Sequence, residues 1–407
     1  MTVAQTSRLS WDGALPKILT IKMTDFSLDP HITFLNHGSF GACPKPVLQA
    51  LWDWQMRMER QPVAFLGREI FQHLEQARHA LADYLNAPAD DLVYYPNPTT
   101  AMAMVANSLH LQAGDEVLTT DHEYGAMERL WLSKCQQWGA RYVRQTIPLP
   151  LENATDFVES FWQAVTPRTR IIFLSHITSP TALIFPVQEI CRRARQQGIL
   201  CIIDGAHVPG HIPLDIQVLD PDIYTAALHK WLMAPKGSSF LYVRKDLQAQ
   251  MHPLIVSWGS AVGEFPRMLY RHSTAFIDEQ EWQGTRDHSA FLATPAAIAY
   301  QRQHNWAQVQ CDCHALASGV RQQLLAICGQ SALCADSPEW YGQMFSVALP
   351  AHAPANLKDI LYEQYRIEVP VFPWQHKRYM RVSFQVYNTL EDGEKLLTAL
   401  REILCAT

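Results

Sequence analysis

The chain lacks any excess of positive charge. Its 407 residues carry 33 Lys and Arg against 39 Asp and Glu, a formal net charge of −6. Nucleic acid and anionic membrane call for a basic footprint, so neither is the expected partner. No apolar run approaches the roughly 18 residues that cross a bilayer. Met1–Thr20 mixes Gln, Arg, Asp and Lys with isolated apolar residues, unlike a secretory signal. The expected compartment is the cytosol. No Gly-x-Gly-x-x-Gly turn follows the early strands, which counts against a nucleotide-binding protein. Internal repeats, low-complexity stretches and Gly/Ser linkers are missing too. Cys311-Asp312-Cys313-His314 has no second ligand pair at zinc-finger spacing, so no metal is expected there. The nine cysteines are scattered through apolar or helical contexts, as at Cys191 and Cys201. They read as reduced and mostly buried.

What is present describes a large enzyme. Apolar residues make up 48% and charged residues 18%, which suits a chain with a sizeable core. The length accommodates two to three domains of roughly 150 residues. Short apolar runs alternate with amphipathic stretches. Strands are predicted at 91–95, 116–119, 170–174, 199–203, 223–227 and 240–243. Helices are predicted at 101–109, 127–138 and 187–197, with residues 96–100 as a turn. This alternation predicts βαβ units and a mostly parallel sheet covered on both faces. After about Ala290 a long helical segment (296–325), strands at 343–349 and 379–384 and a last helix (390–403) predict a smaller α+β domain. The expected division is an N-terminal segment (1–30), a large domain (31–290) and a small domain (291–407).

Open α/β sheets bind ligands beyond the carboxyl ends of their strands. Thr99, Tyr124, His176, Asp204 and Lys230 all follow predicted strands, so they converge on one crevice. Lys230 after a strand-end Asp204 points to an aldehyde cofactor, pyridoxal 5'-phosphate (PLP). The lysine would hold it as a Schiff base, and the aspartate would keep its ring nitrogen protonated. Asp204 could alternatively cap a turn. Thr99 and Thr100 sit where a helix N-terminus would suit a phosphate dianion, although threonine is also a common N-cap. His229 and the Trp282–Asp287 stretch are further donor candidates. Tyr124 and His122 could each lie flat on the ring, with Tyr124 preferred. His207 and His211 have helical metal-pair spacing, but Pro209 and Gly210 lie between them and disfavour a helix. His207 is read as a hydrogen-bonding neighbour of the cofactor and His211 as structural. Arg381 matches a substrate carboxylate with paired N–H groups, or else forms a surface ion pair. Asn36-His37-Gly38-Ser39-Phe40-Gly41 could wall the substrate side.

Several motifs carry a family resemblance. They are Leu35–Gly41, Asp121–Ala126, Ser175–Thr181, Asp204–His207, His229–Trp231, Gly284–Asp287 and Arg381 through Asn388. Together they resemble the class V aminotransferase family of fold type I PLP enzymes, and within it the isopenicillin N epimerase-like group, over about Phe34 to Leu400. The resemblance implies that PLP is bonded to Lys230, with Asp204 on its ring nitrogen and His207 near its ring hydroxyl. It implies phosphate contacts from Thr99, Thr100 and His229, and places Thr178 among the cofactor-binding residues. It implies that Thr285 reaches the phosphate of a neighbouring subunit, so that the active unit is a homodimer. Arg381 would take the substrate carboxylate, with Asn36 and His37 beside the substrate. The chain departs from the family pattern at Ala227, Ala182 and Ala103, where a small polar residue, a glycine and an asparagine are frequent.

Lys230, Asp204 and Tyr124 are the expected catalytic set. The expected substrate is an amino acid or peptide-like amine with a free carboxylate, reacting at Cα by epimerisation or transamination. The alternatives are C–S lysis of a cysteine derivative and non-catalytic PLP binding. Residues 366–381 contain no cysteine, which disfavours persulfide-forming desulfuration.

Overall fold

A computed structural model describes residues 23–267 and 273–405. Most of the expected N-terminal segment (1–30) therefore lies outside the described residues. The strands in chain order are β1 (Thr33–Phe34), β2 (Leu92–Tyr95), β3 (Glu116–Thr120), β4 (Arg141–Gln145), β5 (Thr169–Ser175), β6 (Leu200–Asp204), β7 (Ile223–Ala227), β8 (Ser239–Val243), β9 (Met344–Ala348), β10 (Ile367–Glu368), β11 (Val371–Trp374) and β12 (Lys377–Ser383).

Seven strands form the large sheet in the order β2-β8-β7-β6-β5-β3-β4. All are mutually parallel except β8, which runs antiparallel between β2 and β7. Helices cover both faces, so the inner strands are buried on both sides and read as continuous apolar runs. Period 2 still decides which way each residue points. Ile171 and Phe173 enter one core while Ile172 and Leu174 enter the other. The edge strand β4, with sequence Arg-Tyr-Val-Arg-Gln, is half solvated. It carried no apolar run and was not predicted. Charge on an edge strand also discourages pairing with another chain.

Two helix boundaries differ from expectation. The helix predicted from Ala101 begins at Pro98, because proline fits the first helical position and Asn97 Oδ1 caps it by accepting from Thr100 N at 2.8 Å. The single segment expected over 296–325 is two helices, Thr294–Gln303 and Trp306–Cys328. They part at Asn305, whose φ of +47° cannot continue a right-handed helix.

The smaller sheet is antiparallel, ordered β11-β12-β9, with helices Trp306–Cys328 and Leu390–Cys405 packed together beside it. Although β1 lies within the expected large domain, it pairs in parallel with β10, and Asn36 bridges to Ser383. The chain therefore reaches the smaller sheet first and then crosses to the large one. This crossing brings residues 36–41 over the carboxyl ends of the large sheet.

Candidate active site

One cavity opens at those carboxyl ends. Tyr124 enters its wall from beyond β3, Ser175 from β5, Asp204 from β6 and Lys230 from beyond β7. Asn97, Pro98 and Thr99 contribute the start of the helix Pro98–Ser108. Ser39 and Phe40 close the far side, with His207 and His229 also on the wall.

Asp204 is the last residue of β6 and is nearly fully buried. Its Oδ1 accepts from Ala206 N at 2.9 Å. Gly205 lets the chain turn there, since a Cβ would lie 2.0 Å from the Tyr224 hydroxyl. Burial raises the Asp204 carboxyl, with Ala206 N and Lys230 opposing. No basic side chain forms a salt bridge with it among the described residues.

Lys230 Nζ lies 3.2 Å from His207 Nε2. The Trp231 indole N–H donates to His207 Nδ1 at 3.3 Å. An indole nitrogen only donates, so a neutral His207 carries its proton on Nε2. That proton faces the Lys230 amine, an arrangement that suits an uncharged amine. Desolvation lowers Lys230 to about 7; the Arg381 charge adds to the effect and Asp204 opposes it.

Arg381, on β12, is buried. Its Nη1 donates to Ser179 O at 2.7 Å and Ser179 Oγ at 3.2 Å, and its Nη2 to Ser39 Oγ at 3.2 Å. Burial lowers it to about 10. It too forms no salt bridge among the described residues. A buried guanidinium held only by neutral acceptors is suited to a carboxylate arriving from outside.

Other expected residues fall elsewhere. Thr99 is exposed on the cavity wall. Thr100 is not on the wall, because its hydroxyl donates to Asn97 Oδ1 at 3.1 Å. Thr178 is fully buried and turned inward: its Oγ1 is 2.7 Å from Thr181 Oγ1 and accepts from Leu183 N at 2.9 Å. His37 lies beneath the cavity and not on its substrate wall. Its ring nitrogens meet the Tyr387 hydroxyl at 2.8 Å and the Lys230 carbonyl at 3.0 Å. Asn36 is also off the wall, with Nδ2 donating to Glu368 at 2.9 Å. Ser39 and Phe40 of the same motif take that place. His229 Nδ1 donates to Ser238 O at 3.2 Å, and burial lowers its pKa to about 4. Thr285 is exposed and away from this cavity. His122 is buried, with Nδ1 2.7 Å from Thr181 Oγ1. The ring of His176 turns to the Tyr224 hydroxyl at 3.1 Å. His211 accepts from Gln343 N at 2.7 Å and stacks on Trp231.

Sequence reasoning missed Glu123. This buried carboxyl accepts from Ser175 N (2.9 Å), Ser175 Oγ (2.6 Å) and Thr120 Oγ1 (2.7 Å). It ties the loop carrying Tyr124 to the strand beside Asp204. Burial pushes it up to about 7, with the Asp204 charge adding to the effect. Its place in Asp121–Ala126 was visible, but its inward direction was not.

The donor set fits PLP: an amine lowered to about 7, a buried carboxyl without a salt bridge among the described residues, and an eleven-residue helix presenting its N-terminus to the same cavity. The aminotransferase class-V family model matches residues 37–396. The isopenicillin N epimerase of Amycolatopsis lactamdurans is 36% identical over 384 residues, 93% of this chain and 96% of that protein. A probable chloroplastic L-cysteine desulfhydrase of Arabidopsis thaliana is 28% identical over 92% of this chain and 84% of its own length. Among solved structures, a mutant of C-DES with glycine covalently linked to its PLP cofactor superposes with a TM-score of 0.82 at 21% identity, covering 94% of this chain and 100% of that one. The cavity and its donor set, on a fold shared with a PLP-bearing structure, accord with the family match, and the chain belongs to the class V aminotransferase family of PLP-dependent enzymes.

Proposed function

We propose that this enzyme inverts the configuration at Cα of an amino acid, or of a peptide-like amine with a free α-carboxylate. The observation that carries the proposal is the Lys230 amine, lowered to about 7 and sharing a cavity wall with Asp204, with the buried Arg381 guanidinium, which forms no salt bridge among the described residues, close enough to act on it electrostatically. PLP supplies the electron sink for negative charge developing at Cα. Asp204 would hold the proton on the ring nitrogen, and Thr99, the helix start and His229 would hold the phosphate. Arg381 orients the substrate carboxylate. Lys230, whose pKa of about 7 leaves a large uncharged fraction near neutral pH, is the base that takes the Cα proton. Tyr124, on the same wall, would lie against the ring.

Inversion is favoured over other outcomes by the relatives. Two isopenicillin N epimerases are 33–36% identical over 92–93% of this chain, whereas four plant L-cysteine desulfhydrases, some so named only as probable or putative, are 26–28% identical. Those desulfhydrases support β-elimination from a cysteine derivative as the second reading. No cysteine lies on the described cavity wall, so any sulfur would leave directly and not through an enzyme persulfide. The working unit is proposed to be a cytosolic homodimer. Ile255, Val256, Trp258, Val262 and Phe265 are exposed apolar residues in one stretch, and such clustering marks association surfaces. Thr285, away from its own cavity, is free to serve the partner's.

The test is incubation of the holoenzyme in D₂O with isopenicillin N, L-cysteine and a panel of L-amino acids. Deuterium at Cα with inverted configuration is expected from at least one of them. A keto acid as sole product from the panel, or pyruvate and sulfide from cysteine without inversion anywhere, would replace this reading by transamination or elimination.

A further inference from the structure

Inversion needs a proton taken from one face of Cα and another delivered to the opposite face. Lys230 accounts for one face only. The described titratable groups on the cavity wall are Tyr124, Asp204, His207, His229 and Lys230 itself. The strand order sorts them. In the sequence β7-β6-β5-β3, Lys230 and its neighbour His229 enter beyond β7. Asp204 and His207 enter beyond β6, where His207 is committed to Lys230 and Trp231. Tyr124 alone enters beyond β3, on the far flank of the Asp204 strand.

Three observations bear on its hydroxyl. Tyr124 is 48% exposed on the cavity side of the helix it precedes. Its hydroxyl makes no hydrogen bond among the described residues. It also lies within electrostatic reach of the Arg381 guanidinium, which is where the substrate carboxylate would be held. Its backbone is fixed by Glu123 next door, whose carboxylate is bonded to Ser175 and Thr120.

From this arrangement we infer that the Tyr124 hydroxyl is the second acid–base group, facing Cα from the side opposite Lys230. This inference rests on the Cα inversion proposed above. In one direction the Lys230 amine takes the Cα proton and becomes an ammonium. The Tyr124 O–H gives its proton to the other face of Cα and is left as a phenolate. Exchange of both groups with water resets the pair, and the reverse inversion exchanges their roles. No oxidant or further reactant is needed.

The test compares the wild-type enzyme with Tyr124→Phe, which keeps the aromatic ring and removes only the hydroxyl. The probe is the panel amino acid that the wild type inverts fastest in D₂O. The variant is expected to retain the visible absorbance of its bound cofactor. It should still exchange the Cα hydrogen of the L-enantiomer with retention, through Lys230. Inversion should fall about 10²- to 10⁴-fold, the usual contribution of a general acid. Inversion at the wild-type rate overturns the inference. So does an equal loss of exchange and inversion, which would make Tyr124 a positioning residue. A second measurement needs no variant. In the wild type, every first-turnover inverted product should carry solvent deuterium at Cα. Return of the substrate's own hydrogen to the inverted product would mean that one base serves both faces. A wild type that inverts nothing in the panel removes the function itself, a result distinct from failure of Tyr124 alone.

Discussion

At the scale of single residues, the site depends on a buried amine, a buried guanidinium and a buried carboxyl, none of which forms a salt bridge among the described residues. Lys230 supplies the clearest pH signature. Its amine must be uncharged to attack an aldehyde, and burial with the Arg381 charge lowers its pKa to about 7. Below that value the uncharged fraction falls about tenfold per pH unit. PLP uptake by the cofactor-free protein should therefore rise with pH up to about 7 and then level off. In Arg381→Gln a repelling positive charge is gone, so the same limb should move to higher pH. A stopped-flow reconstitution series measures both. Asp204→Asn removes a charge-assisted hydrogen bond to the ring nitrogen, a contact worth about 1.5–3 kcal/mol. Equilibrium dialysis should show cofactor affinity weakened by about ten- to a hundredfold. Stability should respond in the other direction. A carboxyl whose folded pKa is raised by burial costs the fold stability as pH rises from its unfolded pKa, the loss being complete above the folded one. The cofactor-free Asp204→Asn protein should therefore melt no lower than its parent at neutral pH. Strand-end position was enough to bring Lys230, Asp204, Thr99 and Tyr124 to one cavity wall, although it also pointed to His176, which is not on that wall. The directions of Thr178 and His37 were not legible, because a loop side chain turns toward whichever buried partner the tertiary fold supplies.

At the scale of elements, close packing around the Lys230 turn limits what residues 36–41 can be. Gly41 adopts φ of +69°, and a Cβ there would lie 2.3 Å from the His229 carbonyl. Gly41→Ala combines left-handed strain with a clash against backbone, so urea denaturation should show a loss of about 1–3 kcal/mol. Turnover should fall as well, because the displaced backbone carries Lys230. A second element contact is the buried pair of Arg78, on helix Ile70–Leu85, and Glu281, at 3.1 Å. Arg78→Met strands a buried carboxylate and should cost about 3–5 kcal/mol in the same assay. Apolar periodicity located the inner strands to within a residue or two. It missed β4, which is polar because it is an edge, and it joined two helices across Asn305, because a left-handed residue leaves the apolar pattern on either side unchanged.

At the scale of the whole molecule, alternating strands and helices were enough to predict the mostly parallel sheet and a smaller domain after it. The pairing of β1 with β10 was not readable, since two-residue strands carry no periodic signal and their register is set by contacts more than 300 residues apart. Association belongs to this scale. Sedimentation should give twice the 46.3 kDa chain mass, and Phe265→Glu should shift the enzyme toward monomer by placing a charge on the exposed apolar stretch. A wild type that sediments as a monomer would remove Thr285 from any shared site.

The proposed chemistry depends on which amine receives the cofactor. Two lysines, Lys230 and Lys236, lie within seven residues of each other. Lys236 is an exposed residue and its amine donates to the Gly41 carbonyl at 2.9 Å. Borohydride reduction of the PLP-loaded enzyme, followed by digestion and peptide mass spectrometry, distinguishes them. The cofactor's added mass on Lys230 is the predicted result; its appearance on Lys236, or on no lysine of this turn, would contradict the account.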